Sequence, residues 1–188
     1  MIAGLNDVEV QVLLWIQDHL RNDFLTPIFQ FITRFGDGGI FWIMICVLLL
    51  LYAKTRRNVG IPAALSLALN ALLTNVILKN VVARVRPYDW VTNLQILTGR
   101  PHDFSFPSGH SAASFSVAMA IYLSGHKKAG TAALIFASLI AVSRLYLGVH
   151  YPTDVLGGIL VGSLSALAIR KSMMKLQNKK SGNKSDNI

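Results

Sequence analysis

The stretch Phe104-Ser-Phe-Pro-Ser-Gly-His110 lies between two long apolar segments of this chain. Its last four residues, Pro107 to His110, are predicted to open the helix that follows. Backbone N–H groups at a helix N-terminus bind anions, the Ser108 hydroxyl adds a donor, and Gly109 lets a ligand approach the backbone. His110 can donate a proton to a leaving oxygen. The stretch therefore predicts a phosphate-handling helix start; the alternative is a capped helix with an incidental histidine.

The composition indicates a membrane protein. The chain of 188 residues is 53% hydrophobic and only 14% charged, whereas soluble domains are about 25% charged, and its mean hydropathy is +0.48. We predict an all-α, polytopic bundle of about six transmembrane helices. The clear spans are residues 40–53, 59–79, 109–124, 129–149 and 155–169, and a shorter apolar helix at 24–35 is left open as a span.

The two ends of the chain differ from this apolar middle. Residues 6–20 are predicted to form an amphipathic helix at the membrane interface, with Val8, Val12, Trp15 and Ile16 on one face. Residues 1–172 are expected to form a single domain. The basic tail, residues 173–188, is expected to be disordered and cytoplasmic.

The basic residues predict the orientation. Lysines and arginines number 18 against 9 acidic residues, a net charge of +9. Lys54, Arg56, Arg57, Lys127 and Lys128 and the tail all fall on one face, which the positive-inside rule makes cytoplasmic. The connection 80–107 and the turn at His150 then lie outside. Nucleic acid is excluded as a partner, because the basic residues lie in short loops and the tail rather than in a recognised motif.

Two further polar clusters fall on the same predicted outer face. Lys79 and Arg86 flank the end of a span, and Pro87 is expected to stop that helix and let Arg86 turn inward. Basic residues there could also be simple interfacial anchors. Arg144 lies near the outer end of its span, where a charge is expensive without an anionic partner.

The third cluster continues into the next turn. Asp154 comes four residues after His150, close enough to accept a hydrogen bond from one imidazole nitrogen and leave the other free to attack. A structural ion pair is the alternative for this cluster. The clusters together place basic and imidazole groups beside a single carboxylate, which fits a phosphorylated substrate. Such a set does not suit a divalent-metal phosphatase, so no metal and no cofactor is expected.

These residues carry a family resemblance. Lys79-x6-Arg86-Pro87, Pro107-Ser-Gly-His110 and Ser143-Arg144-x5-His150-x3-Asp154 resemble the three-part signature of the type 2 phosphatidic acid phosphatase family. The signature region is residues 79–154. The resemblance implies metal-independent hydrolysis through a phosphohistidine at His150, oriented by Asp154, with His110 as the general acid. It also implies that the phosphate is held by Lys79, Arg86, Ser108, Gly109 and Arg144.

The short chain with minimal loops is typical of a bacterial cytoplasmic-membrane enzyme, and the positive-inside rule predicts that its site is extracytoplasmic. The expected partners are the bilayer and a lipid substrate, and no obligate protein partner is evident. Undecaprenyl pyrophosphate is the favoured substrate, because the site is predicted to face outward. Phosphatidylglycerophosphate or phosphatidate is the alternative. More remote alternatives are a vanadate-dependent haloperoxidase and a non-enzymatic lipid-binding protein. The pair Gly158 and Gly162 is expected to serve helix packing.

Overall fold

Helices form every regular element in the part of the chain that this computed structural model describes, which is the backbone of residues 3–185 and the side chains of residues 7–178. The first helices are α1 (Ala3–His19), α2 (Leu25–Arg34) and α3 (Ile40–Leu51). A long segment follows, in which π-helical stretches join α4 (Ala53–Thr55), α5 (Ile61–Ala71) and α6 (Lys79–Val82). The last helices are α7 (Gly109–Leu123), α8 (Lys127–Tyr146) and α9 (Pro152–Ser185). The predicted all-α class is confirmed.

Three helical segments of the described residues are long and apolar enough to cross a bilayer: Ala53–Asp89, Lys127–Tyr146 and Pro152–Asn178. A fourth span results if Leu25–Arg34 and Asp37–Leu51, bent by 41°, are counted together. The predicted number of about six is not confirmed. One reason is α7, whose 15 residues rise about 22 Å, less than the roughly 30 Å of the hydrocarbon layer.

The helix α7 lies in the middle of the bundle and packs most extensively against α9 and α8. Its contact face is built from small buried residues such as Ala112 and Ser116. A Cβ added at Gly162 would collide with the Ala112 carbonyl oxygen, and one at Gly158 would meet the Ser108 carbonyl oxygen. The two glycines therefore let α9 approach α7 closely, as the packing prediction requires.

The helix α1 is amphipathic, but its buried side differs from the predicted face. Leu13 and Glu9 are buried in the protein. Val8 and Trp15 are more than half exposed, which suits contact with a membrane interface. The prediction for α1 rested on its apolar residues only, so it did not include the carboxylate of Glu9 on the side that faces the protein.

The ends of two helices differ from the predictions. The helix before the long connection ends at Val82, because Ala83 adopts a left-handed conformation with φ of +46°. Pro87 instead begins a short 3-10 turn, Pro87–Asp89. At the C-terminus, α9 covers residues 173–185 of the tail that was predicted to be disordered, and residues 186–188 lie outside the described residues.

Candidate active site

His150 and Asp154 form a buried pair where α8 gives way to α9. The Asp154 Oδ2 atom lies 3.5 Å from His150 Nδ1. The same oxygen accepts hydrogen bonds from the Ser105 hydroxyl at 2.5 Å and from the Tyr151 backbone N–H at 2.9 Å. Since Nδ1 faces Asp154 and Ser105, the other ring nitrogen, Nε2, is the one available for attack on a substrate.

The environment of His150 keeps its imidazole neutral. Burial lowers the pKa of His150, the hydrogen bond with Asp154 opposes this shift, and the charges of Arg86 and Arg144 add to the lowering. A neutral imidazole retains the lone pair that a nucleophile needs. The nucleophilic role of His150 stays a prediction.

Lys79 and Arg86 are both buried, and they meet at Asp103. The Asp103 carboxylate pairs with the Lys79 ammonium and lies 2.6 Å from Arg86 Nη2. Arg86 Nη1 donates to the Val149 carbonyl at 2.8 Å and lies 3.3 Å from His150 Nε2. Arg86 therefore lies beside the His150 nitrogen that faces away from Asp154. The pairing of Asp103 with two cations was not predicted from the sequence.

The start of α7 joins the same site. Ser108 is the N-cap of α7, its side chain accepts from the Ser111 N–H at 3.5 Å, and its own N–H donates to the Asp154 carbonyl at 2.9 Å. A Cβ added at Gly109 would lie 3.8 Å from Lys79 Nζ. The tetrapeptide Pro107 to His110 is therefore hydrogen-bonded to Asp154 through Ser108 and lies close to Lys79 at Gly109.

Arg144 is buried in the last turn of α8. Its Nη1 atom donates to the Thr33 hydroxyl at 2.5 Å, whereas its buried Nε atom has no hydrogen-bond partner within the described residues. A buried donor without a partner carries a free-energy cost. Its position suits an anionic ligand as the missing partner.

His110, Gly109 and Lys79 line one end of a cavity of about 570 Å³. Asp103 lines the same polar end, and the Nε2 atom of His110 lies 2.9 Å from the Asp37 carboxylate. The other walls come from α3, α5, α7, the turn before α3 and the π-helical stretch after α5. Most of their residues are apolar: Ile43, Cys46, Val47, Leu50, Ala64, Leu67, Ala68, Ala71 and Ala113. Asn70, Thr74 and Asn75 are the polar exceptions. A cavity with a polar end, where Lys79 is paired with Asp103, and an apolar body suits a phosphorylated lipid.

Arg84 and Glu9 belong to the site, although no role was predicted for them. Arg84 Nη1 donates to Asp154 Oδ1 at 2.8 Å, and Arg84 Nη2 pairs with Glu9 at 2.5 Å. Glu9 also accepts from the Thr153 N–H and hydroxyl at 2.8 and 2.7 Å. The Arg84 guanidinium stacks over the Tyr151 ring, 3.8 Å from its centroid. The one available signal was a basic residue two positions before Arg86 at the end of an apolar span.

The donor set of the site is poor in metal ligands. Within residues 7–178, no three His, Cys, Asp or Glu side chains come together as a candidate metal site. The carboxylates that are present, Asp103, Asp154, Glu9 and Asp37, are each paired with a basic or imidazole side chain. The groups that converge here are suited to binding an anion.

Comparison with known proteins agrees with this geometry. Residues 59–178 match the family model of the PAP2 superfamily. The chain is 33% identical to the undecaprenyl-diphosphatase of Sulfolobus acidocaldarius, over 78% of this chain and 70% of the relative. It is 35% identical to phosphatidylglycerophosphatase B of Bacillus subtilis, over 77% and 73%. A crystal structure of a transmembrane PAP2-type phosphatidylglycerolphosphate phosphatase from Bacillus subtilis superposes with a TM-score of 0.76 at 29% identity, covering 93% of this chain and 88% of that one.

The chain belongs to the PAP2 superfamily and is a membrane lipid phosphatase. The family prediction made from the three signature segments is confirmed.

Proposed function

We propose that this phosphatase removes the terminal phosphate of undecaprenyl pyrophosphate, giving undecaprenyl phosphate and inorganic phosphate. The observation that carries the proposal is the cavity whose polar end holds Lys79, His110 and Asp103 and whose body is mostly apolar. Such a cavity can hold a charged head group beside a long hydrocarbon chain. The relative named undecaprenyl-diphosphatase supports this substrate.

In the proposed reaction, His150 Nε2 attacks the terminal phosphorus and forms an N–P bond. The bond between that phosphorus and the leaving oxygen breaks, and the oxygen keeps the electron pair and takes a proton from His110. Asp154 holds the Nδ1 side of His150 and stabilises the charge that develops on the ring. Water then attacks the phosphohistidine and releases inorganic phosphate.

The phosphoryl oxygens would be bound by Lys79, Arg86 and Arg144, with the Ser108 hydroxyl and the backbone at Gly109. Charge-assisted hydrogen bonds of this kind are about twice as strong as neutral ones. They act most strongly where negative charge grows in the transition state, so these residues should raise the rate as well as the affinity. The scheme uses no metal ion and no cofactor.

A phosphatidylglycerophosphate or phosphatidate phosphatase is the second candidate. The Bacillus subtilis relatives, one by sequence and one by crystal structure, are phosphatidylglycerophosphate phosphatases by name. Both candidates require the same chemistry at His150 and differ in the lipid that fills the cavity. They are therefore separated by substrate preference and not by catalytic residues.

The test is phosphate release by purified protein in detergent with EDTA, across undecaprenyl pyrophosphate, phosphatidylglycerophosphate and phosphatidate. We expect release in EDTA, with undecaprenyl pyrophosphate turned over at the highest kcat/KM. His150→Ala should abolish release, whereas His126→Ala, an exposed histidine at the start of α8, should not. A strict metal requirement, or an active His150→Ala enzyme, would contradict the mechanism.

We further propose that the site faces the extracytoplasmic side of a bacterial cytoplasmic membrane and that the C-terminus is cytoplasmic. The positive-inside rule supports this orientation through Lys54, Arg57 and Lys128. In a Cys46→Ser background, a membrane-impermeant maleimide should label Thr92→Cys in intact cells. It should label Arg57→Cys only after permeabilisation, and the opposite pattern would reverse the orientation.

A further inference from the structure

The turn between α2 and α3, Gly36-Asp-Gly-Gly39, contacts the catalytic histidine of α7. Asp37 Oδ1 lies 2.9 Å from His110 Nε2, across 73 residues of sequence. A carboxylate accepts hydrogen bonds and does not donate them, so Nε2 must carry the proton of this bond. The other nitrogen, Nδ1, makes no hydrogen bond with any residue in the described part of the chain.

The backbone of the turn is shaped to fit the imidazole. A Cβ added at Gly36 would collide with the Cδ2 atom of the His110 ring. Gly38 and Gly39 have φ values of +57° and +69°, a left-handed conformation that glycine adopts without strain. The ring of His110 thus packs closely against Gly36 and is hydrogen-bonded at Nε2 to Asp37.

The charges around His110 explain why a carboxylate is needed there. His110 lines the cavity together with Lys79, and the charge of Arg144 also acts on it. Burial opposes protonation of the imidazole most, and both cations add to it, yet a general acid must hold a proton before it can donate one. Asp37 supplies the opposite charge at hydrogen-bond distance.

We propose that Asp37 is a positioning residue for His110, which directs Nδ1 towards the leaving oxygen and stabilises the doubly protonated ring. The inference rests on the proposed function. When the bond between phosphorus and the leaving oxygen breaks, the Nδ1 proton moves to that oxygen. Nε2 keeps its own proton, which stays hydrogen-bonded to the Asp37 carboxylate. The neutral His110 then takes a proton from the water that attacks the phosphohistidine, which restores the doubly protonated ring. The site therefore contains two aspartate–histidine pairs, Asp154 with the nucleophile and Asp37 with the acid.

The test compares two substrates of the same enzyme. Undecaprenyl pyrophosphate has a leaving group that needs a proton, whereas p-nitrophenyl phosphate releases a stable phenolate that needs far less help. General acid catalysis contributes about 10²–10⁴-fold, so Asp37→Asn should lower kcat for the lipid on the order of 10–100-fold. It should change kcat for the aryl phosphate less than about threefold. Asp37→Glu, which keeps the charge, should recover part of the lipid activity.

The controls separate positioning from folding. Asp23→Asn, an exposed aspartate before α2, should leave both rates unchanged. The ratio of the two rates within one preparation does not depend on how much protein is folded. Equal losses on both substrates, or no loss on either, would overturn the role of Asp37. A wild-type protein that releases no phosphate from either substrate would instead refute the proposed function, and this inference with it.

Discussion

Replacement of Arg84 by methionine should destabilise the protein, because two buried carboxylates depend on this guanidinium. Asp154 is fully buried and Glu9 is 3% exposed, and Arg84 contacts them at 2.8 and 2.5 Å. Removal of one partner from a buried ion pair costs about 3–5 kcal/mol. We expect the lower end, about 3 kcal/mol, since Thr153 still donates to Glu9 and Ser105 to Asp154.

A loss of that size is measurable as a shift in Tm. For chains of this length, 1 kcal/mol changes Tm by about 2–4 °C, so Arg84→Met should lower it by about 6–12 °C. The assay is thermal unfolding in detergent, followed by the fluorescence of the tryptophans. Arg57→Met is the matched control, since Arg57 is exposed at the opposite end of the helical segment.

The same substitution should also slow catalysis. Arg84 holds one oxygen of Asp154 while the other faces His150 and Ser105. A misplacement of about 1 Å in a catalytic group can cost on the order of 100-fold in rate. We expect kcat to fall by about 10–100-fold below the melting temperature, with a smaller change in KM.

A double-mutant cycle gives the sharpest check. Glu9→Gln removes one of the two buried negative charges, so it should reduce the further loss of stability that Arg84→Met causes. The combined loss of stability should therefore be smaller than the sum of the single losses by at least about 1 kcal/mol. Strict additivity, or an Arg84→Met protein that melts within a degree of Arg57→Met, would refute the coupling between these residues.

Three other predictions concern packing, charge and metal dependence. Gly162→Ala should lower Tm by several degrees in the same unfolding assay, because its Cβ meets the Ala112 carbonyl oxygen, whereas Gly99→Ala, with open space around it, should not. Burial alone would raise the pKa of Asp103, but hydrogen bonds and charges from Lys79 and Arg86 lower it to about 2. The stability that Asp103 contributes should be complete above its unfolded pKa of about 3.9 and lost as the pH falls through about 2, so the Tm difference from Asp103→Asn should shrink over that range. Phosphate release should survive dialysis against EDTA, and restoration of activity only by added Mg²⁺ would contradict the anion-binding account of the site.

The sequence predicted a set of candidate site residues with Asp154 as its one carboxylate, but not the other carboxylates that pair with them. Five of these residues were predictable because they lie at the ends of apolar spans, where a polar or charged group costs free energy unless it has a partner. They are Lys79, Arg86, His110, His150 and Asp154. The structure brings this set to one end of the bundle, with Arg86 3.3 Å from His150. The catalytic roles of these residues stay predictions until the variants are measured.

The supporting partners were not predictable because they depend on long-range contacts. Glu9 and Arg84 are 75 residues apart, and Asp37 and His110 are 73 apart. Local periodicity carries no information about which distant residues will meet. Asp103 lies in a connection without periodicity.

The backbone conformation at the end of α6 was not predictable from the sequence either. A proline after a span suggests where a helix stops, yet the helix ends earlier, at Ala83 with φ of +46°. Alanine is a strong helix former, so nothing local marks it as a terminus. The early end gives Arg84 and Arg86 a non-helical backbone, which carries one towards Asp154 and the other towards Asp103 and His150.

The pairing of charges singles out Arg144 among the buried cations. Lys79 and Arg86 share Asp103, and Arg84 pairs with Glu9 and Asp154. Arg144 has only the Thr33 hydroxyl as a side-chain partner within residues 7–178, and its Nε is unsatisfied. Its desolvation is therefore offset least by the protein and most by a bound phosphate. Arg144→Lys, which keeps the charge but loses the planar fork, should weaken binding of inorganic phosphate or vanadate as inhibitors more than Arg84→Lys does.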